Sequence, residues 1–312
     1  MELYHGLNEV GTDDVGTVVT LGNFDGVHRG HQTVLRAVAA LASERSLRSV
    51  AMTFDPHPRT VHRPDEPTLM ITSTEQKADF IGDTGIDALF VQHYDLDFAA
   101  QSAEEFVRTY FVEALRCEIV VVGDDVRFGK DNEGTIETLR HLGEKYGFRT
   151  ETIEEVGRGG RYSSSRIRDQ IVGGDVAEAA DQLGRYHRVE GSVVHGDARG
   201  RDLGFPTANL SEDVAGLIPS DGVYAGWATF SEEDQTYPAA ISVGTNPTFE
   251  GSVRRVEAHV LDKEFGEFDV YGRHMTLEFV SRIRGQVTFT GMDELVVKMH
   301  EDIADVREVL HT

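Results

Sequence analysis

The feature that most restricts how this chain can fold is a change of rhythm near residue 183. Upstream of it, short apolar runs alternate with amphipathic stretches; downstream, apolar runs follow one another directly, divided by Gly and Pro. Thr17–Leu21 predicts a buried strand. In Gln32–Ser43, the residues Val34, Leu35, Val38, Leu41 and Ala42 form the stripe of a helix. A strand at Ser49–Phe54, a helix near Thr74–Asp83, a strand at Ala88–Gln92, a helix at Ala103–Leu115, a strand at Glu118–Val122 and a helix near Thr135–Tyr146 complete the alternation. Such alternation implies parallel strands joined by crossover helices, an open α/β sheet. From Tyr186 onward the runs Arg188–Val194, Tyr224–Phe230, Ala239–Val243, Val256–Leu261 and Met275–Val280 predict a mainly-β barrel or sandwich. A terminal helix follows, with Leu295, Val296, Met299, Ile303, Val306 and Leu310 on one face, Thr290 as N-cap and Asp293 in the first turn. The expected division is therefore 1–184, an α/β domain, and 185–312, a β-barrel domain.

Composition narrows the function. A length of 312 residues suits two domains, and 39% hydrophobic residues suffice for two cores. The single cysteine, Cys117, excludes an internal disulfide framework and a Cys-based zinc site. Residues Met1–His5 lack the basic and apolar parts of a secretory signal. No run reaches the roughly 18–20 apolar residues that span a bilayer. We therefore expect a cytoplasmic protein. The net charge of −24, with 54 acidic against 30 basic residues, disfavours nucleic acid and anionic lipid as partners. Any phosphate must be held locally, by backbone amides, a few arginines or a divalent cation. The acidity itself reads either as a solubility device or as a response to a salty or crowded habitat.

The first chemical segment is Gly22-Asn23-Phe24-Asp25-Gly26-Val27-His28-Arg29-Gly30-His31, between the first predicted strand and the first predicted helix. In an open parallel sheet, ligands bind where such loops leave the carboxyl ends of strands. The start of the helix offers free amides and a partial positive charge, which favour phosphate, and His28 and His31 add two imidazoles. A His-x-x-His metal pair and two incidental loop histidines are the competing readings. The segment is not a P-loop; Gly123–Lys130 comes nearest and has the wrong spacing. Thr53–Pro58 and Val122–Gly129 follow two further predicted strands and would join the same sheet edge. Arg161-Tyr162-Ser163-Ser164-Ser165-Arg166-Ile167-Arg168 sets hydroxyls and arginines at a helix start, which suits a polyphosphate but also occurs as plain capping.

The second segment, Gly191–Asn209, is dense in glycine and is expected at the mouth of the barrel. Turn chemistry alone would account for the glycines. However, Thr207 and Asn209, two apart on an extended stretch, point the same way. They offer hard oxygens of the kind Mg²⁺ accepts beside phosphate. Glu257 lies in a strand-like run, where most charged residues only face solvent. Phosphorylation of an alcohol, though, calls for a carboxylate that takes or orients the hydroxyl proton beside metal-bound ATP.

Gly22–His31 resembles the HxGH signature of nucleotidyltransferases, which join a nucleotide to a phosphate and release pyrophosphate. With TFDPHP, VGDDVRFG and SSSRIR in this order, it is similar to the N-terminal module of the prokaryotic bifunctional riboflavin kinase/FMN adenylyltransferases (FAD synthetases). Residues GSVVHG, GFPTAN, DGVY, SVGTNPTF and VEAHVLD resemble the kinase module of the same family, and the resemblance spans about residues 15–310. It implies a Rossmann-like nucleotidyltransferase domain followed by a kinase barrel. It further implies phosphorylation of riboflavin to FMN by ATP, then adenylylation of FMN to FAD with release of pyrophosphate.

By motif match, Gly22, Phe24, Asp25, His28 and His31 would handle ATP. Asp125 would contact nucleotide or flavin phosphate, and Arg161, Ser164, Ser165 and Arg168 would close on the triphosphate. In the barrel, Gly196, Gly204, Phe205, Pro206, Thr207 and Asn209 would bind the nucleotide, with Thr207 and Asn209 on Mg²⁺. Glu257 would be the base, and Arg284 would sit near the flavin. Small-molecule substrates are implied, without nucleic acid or membrane, and a weak homo-oligomer is allowed. The chain departs from the family pattern at Val126 (usually aromatic), Ser165 (usually Thr) and Thr288 (commonly Lys). A transferase for another phosphorylated alcohol, a silent flavin-binding protein and an enzyme with one active module are the rival readings.

Overall fold

The structure, a computed structural model, describes residues 1–11, 15–66, 68–153, 162–196, 204–231, 233, 235–248, 251–262, 270–289 and 291–312; the side chains of 246–248 and 251–253 lie outside the description. The chain forms two compact units, one of residues 1–69 and 73–163, the other of 70–72 and 164–312.

The first unit runs β1 (Glu2–Tyr4), β2 (Thr17–Leu21), α1 (Arg29–Arg45), β3 (Arg48–Asp55), α2 (Pro58–His62), α3 (Thr74–Gly82), β4 (Ala88–His93), α4 (Leu96–Ala99), α5 (Ala103–Phe106), β5 (Cys117–Gly123), α6 (Ile136–Tyr146) and β6 (Arg149–Ile153). The strands make one parallel sheet in the order β1-β4-β3-β2-β5-β6. Its central strands are apolar on both faces because both faces are covered. Val19, Met52, Phe90 and Val120 enter one buried cluster, while their neighbours Val18, Ala51, Leu89 and Ile119 enter the other. The alternation read from the sequence is thus an open α/β sheet.

Two details differ from the sequence reading. The short edge strands β1 and β6 carry too few residues for a periodic signal. The helix expected over Ala103–Leu115 is α-helical only to Phe106 and continues as a π-helical stretch, Val107–Ala114, closed by Leu115 N–H on the Tyr110 carbonyl (2.9 Å). Here Phe106 meets Tyr110 and Phe111 with ring centroids 5.3 and 5.2 Å apart, so aromatic packing accompanies the wider turn.

The second unit contains α7 (Ser164–Gly173), α8 (Val176–Leu183), β7 (His187–Val194), β8 (Ala208–Leu210), β9 (Gly222–Phe230), β10 (Thr236–Thr248), β11 (Gly251–Val260), β12 (His274–Arg284) and α9 (Met292–Leu310). Its strands close into an antiparallel barrel, β10-β11-β8-β7-β12-β9. Val189, Tyr224, Phe230, Ile241, Ala258 and Phe279 fill the interior. Helix α9 starts after Gly291, which is its N-cap, and not after Thr290, which lies outside the described residues. A separate buried cluster joins Ile71, Ile167, Ile171, Ala179, Leu183 and Leu217. The shift of sequence rhythm and the edge of the compact unit are therefore different boundaries. Among the described residues no helix is long and apolar enough to cross a membrane.

His187 opens β7 fully buried, its Nε2 at 2.6 Å from the Leu217 carbonyl, and burial lowers its pKa from 6.5 to about 4. The folded protein thus binds the neutral ring, whereas the unfolded chain protonates near pH 6.5. The resulting stability, roughly 3 kcal/mol, is present above that pH and is lost as pH falls toward 4. Thermal melts of His187→Phe should show a flatter slope across this window than the parent, and equal slopes would remove His187 from the acid response.

Candidate active sites

In the parallel sheet β2 lies between β3 and β5, and the chain leaves β2 toward β3 but leaves β5 toward β6. That divergence opens a crevice at the carboxyl ends of β2 and β5, the place where open α/β sheets bind ligands. The loops 22–28, 56–57 and 124–128, which follow β2, β3 and β5, all emerge on this edge, as the sequence predicts.

The loop after β2 is tightly wound. Phe24 (φ 49°) and Val27 (φ 40°) adopt the left-handed region, alongside Gly26 (φ 78°). For a β-branched residue this is a strained conformation, held here by complete burial of Val27. A Cβ on Gly22 would press on the Phe24 ring at 3.0 Å. His28 is the N-cap of α1, its Nδ1 accepting from the His31 N–H at 3.2 Å, which leaves the ring proton on Nε2. The His28 and His31 rings stack 3.6 Å apart at 15°, and Phe24 meets His31 edge-on at 5.3 Å. Burial, then the charges of His28 and Lys77, hold His31 well below the ordinary imidazole range. Its Nδ1 is buried with no hydrogen-bond partner among the described residues.

Asp25 is buried in the same loop, and Asp125 is exposed in the turn after β5. Val126 packs partly buried against the aromatic core. Ser164 begins α7, followed by Ser165, which is exposed, and Arg168, which is half-buried; all three belong to the second unit. Arg161 lies outside the described residues.

One residue of this region escaped the sequence reading. Lys77 is buried on α3, with Nζ 3.4 Å from Thr53 Oγ1. Burial lowers its pKa while Asp25 and Asp55 pull it back up. The signal was present: Lys77 stands three and four residues before Phe80 and Ile81, on the inward face of its helix.

In the barrel, β8 pairs with β11 so that Asn209 faces Glu257. Val256, Ala258 and Val260 point into the barrel, so Glu257 and His259 point outward. The cluster therefore lies on the outer face of the wall, because alternation along β11 reserves the interior for the apolar partners. Thr207 Oγ1 is 3.4 Å from Glu257 Oε2, and Asn209 Nδ2 is 3.4 Å from Thr207 Oγ1. A Cβ on Gly196 would crowd the Asn209 amide, which glycine leaves room for.

Gly204 takes φ +85°, and Phe205 is buried. The Pro206 carbonyl is 2.8 Å from His259 Nδ1. Arg284 is turned to the terminal helix. Its Nε and Nη2 bind the Asp302 carboxylate at 2.8 and 2.6 Å, and its Nη1 donates to the Gly285 carbonyl. Thr207, Asn209 and Glu257 are thus brought together, while Arg284 is committed to Asp302, a partner with no sequence signal eighteen positions away.

Comparison with known proteins adds to this geometry. Residues 11–167 match the model of the FAD synthetase family and residues 183–310 that of riboflavin kinase. The chain is 34% identical over 312 residues to the bifunctional riboflavin kinase/FMN adenylyltransferase of Escherichia coli (strain K12), covering 99% of this chain and 97% of that protein. It is 36% identical over 291 residues to the protein of the same name from Bacillus subtilis (strain 168), covering 92% and 90%. A crystal structure named as a macrolide-efflux protein from Streptococcus pneumoniae superposes with a TM-score of 0.86 at 32% identity, covering 98% of each chain.

Proposed function

Because the chain belongs to the family of bifunctional riboflavin kinase/FMN adenylyltransferases, we propose that its two reactions are carried by the two residue clusters just described. It phosphorylates riboflavin to FMN and adenylylates FMN to FAD. We assign the adenylylation to residues 1–184 and the phosphorylation to 185–312.

In the kinase reaction the ribityl 5′-hydroxyl oxygen bonds to the γ-phosphorus of ATP, its proton passes to Glu257, and ADP leaves. Thr207 Oγ1 and Asn209 Oδ1, hard oxygens beside the Glu257 carboxylate, suit Mg²⁺ by their chemistry. Mg²⁺ bound with ATP would neutralise charge on the phosphate oxygens. Gly196, Gly204, Phe205 and Pro206 are assigned to the nucleotide beside these donors.

In the adenylyl transfer an FMN phosphate oxygen bonds to the α-phosphorus of ATP, and pyrophosphate leaves. The nucleophile is already an anion, so no base is required. His28 Nε2–H, the His31 ring and the positive end of α1 serve the charge that builds on the phosphate oxygens. Asp25 and Lys77 balance one another behind the loop. Arg161, Ser164, Ser165 and Arg168 are assigned to the triphosphate, Asp125 to phosphate and Arg284 to the flavin side of the kinase. Both steps work by positioning and charge stabilisation without a covalent enzyme intermediate. We place the enzyme in the cytoplasm, where ATP is at hand.

The observation that carries this reading is that the stacked His28–His31 pair lies in the first compact unit and the Thr207–Asn209–Glu257 cluster in the second. Calorimetric titration with a non-hydrolysable ATP analogue and Mg²⁺ should find two sites per chain, and one in Asn209→Ala. A single site in the parent protein would sink the two-cluster assignment.

A further inference from the structure

The kinase reading leaves His259 without a part, although it stands two residues from Glu257 on the same outward face of β11. A carbonyl only accepts, so the 2.8 Å contact with Pro206 fixes a proton on His259 Nδ1. Pro206 immediately precedes Thr207 and has no N–H of its own, so its carbonyl is the one backbone group by which this residue can be tied. The ring that ties it is itself held. Phe205 meets His259 edge-on at 5.7 Å and His300 of α9 at 5.0 Å, and is buried between them. Burial disfavours the charged ring, so the tie is made by a neutral imidazole. Glu257 reaches Thr207 from one side while His259 sets the backbone just before it. One strand thus controls both the proton acceptor and the oxygen that faces it.

We propose that His259 is a positioning residue of the kinase: through the Pro206 carbonyl it fixes Thr207 Oγ1 against Glu257 and so sets the seat of the metal-bound triphosphate. This inference rests on the assignment of Thr207, Asn209 and Glu257 to the kinase site. Groups that orient a ligating residue in this way are worth about 10–100-fold in affinity or activity.

The test separates donor from bulk. His259→Leu removes the N–H, whereas His259→Asn returns one at the position of Nδ1. Steady-state riboflavin phosphorylation should show kcat/KM for ATP about 10–100-fold lower in the Leu variant, mostly through KM, with KM for riboflavin unchanged. The Asn variant should recover most of the loss, and both should adenylylate supplied FMN at the parental rate, which reports an intact fold. If the Leu variant loses both activities, His259→Asp, with the shape of Asn but no N–H, takes its place with the same expectation. Equal losses in the Asn variant and in the donor-free variant would reduce His259 to packing and overturn the proposal, as would parental kinetics without the donor. Thr207→Val in the same assay keeps the two levels apart. If it is silent, the site assignment fails; if it is inactive while His259→Leu is not, only the present inference falls.

Discussion

Glu257→Gln should lower the kcat of riboflavin phosphorylation by about 10²–10⁴-fold, the worth of a positioned general base. In barrier terms this is roughly 3–5 kcal/mol. Glutamine keeps the size of the side chain and an oxygen that can accept from Thr207 Oγ1, which lies 3.4 Å from Glu257 Oε2. The strand pairing with Asn209 involves backbone only and is untouched. The loss should therefore appear in kcat, with KM for ATP nearly unchanged and with conversion of supplied FMN to FAD at the parental rate. Chromatographic separation of riboflavin, FMN and FAD reads both activities in one assay. A variant that still phosphorylates at the parental rate would move the base elsewhere, and one that loses both activities while folded would refute the separation of sites.

His31→Ala should give the mirror image. Removal of one donor to developing phosphate charge is expected to slow FAD formation by about 10²–10³-fold while FMN formation continues. The substitution is mild for the fold, because the cap of α1 runs from the backbone N–H of residue 31 to His28 Nδ1, and alanine keeps that N–H. What disappears is the ring stacked on His28 and its buried Nδ1, which has no partner among the described residues. Burial, His28 and Lys77 disfavour the imidazolium, so the ring acts in its neutral form and the deficit should stay constant across neutral pH. A deficit that grew or vanished as the solution crossed neutrality would show that a protonated His31 had been at work. His28→Ala is the less clean experiment, since it also removes the helix cap.

Much of this architecture is legible in the residues, for identifiable reasons. β2 to β5 were readable because strands covered on both faces must be continuously apolar, and α1 because its stripe faces the sheet. The placement of the His28–His31 pair at the carboxyl edge of the sheet was readable because a loop between strand and helix has one place to go in a parallel sheet. Thr207 and Asn209 were readable as a pair because two residues along an extended chain share a side.

Other features depend on packing that no local pattern encodes. The π-helical stretch after Phe106 goes with the meeting of Phe106, Tyr110 and Phe111. The outer-face location of Glu257 follows from which alternate set of β11 closes on the barrel interior, which a short mixed run leaves undecided. Arg284 finds Asp302 only once α9 lies against the barrel. Lys77 was overlooked because lysine is expected in solvent, although its position in the stripe placed it inside.

The cluster of Ile71, Ile167, Ile171, Ala179, Leu183 and Leu217 has a practical corollary for anyone wishing to express either activity alone. The polypeptide leaves the first unit at Leu69, lends Met70–Thr72 to the second and returns at Ser73. Scission at any one peptide bond therefore cannot release both halves whole. A fragment opening at Arg185, where the sequence changes character, forfeits all but Leu217 of that cluster, and each lost Ile or Leu side chain is worth roughly 1.5–3 kcal/mol. A cut that spares one unit always trims the other, because the two interleave along the chain.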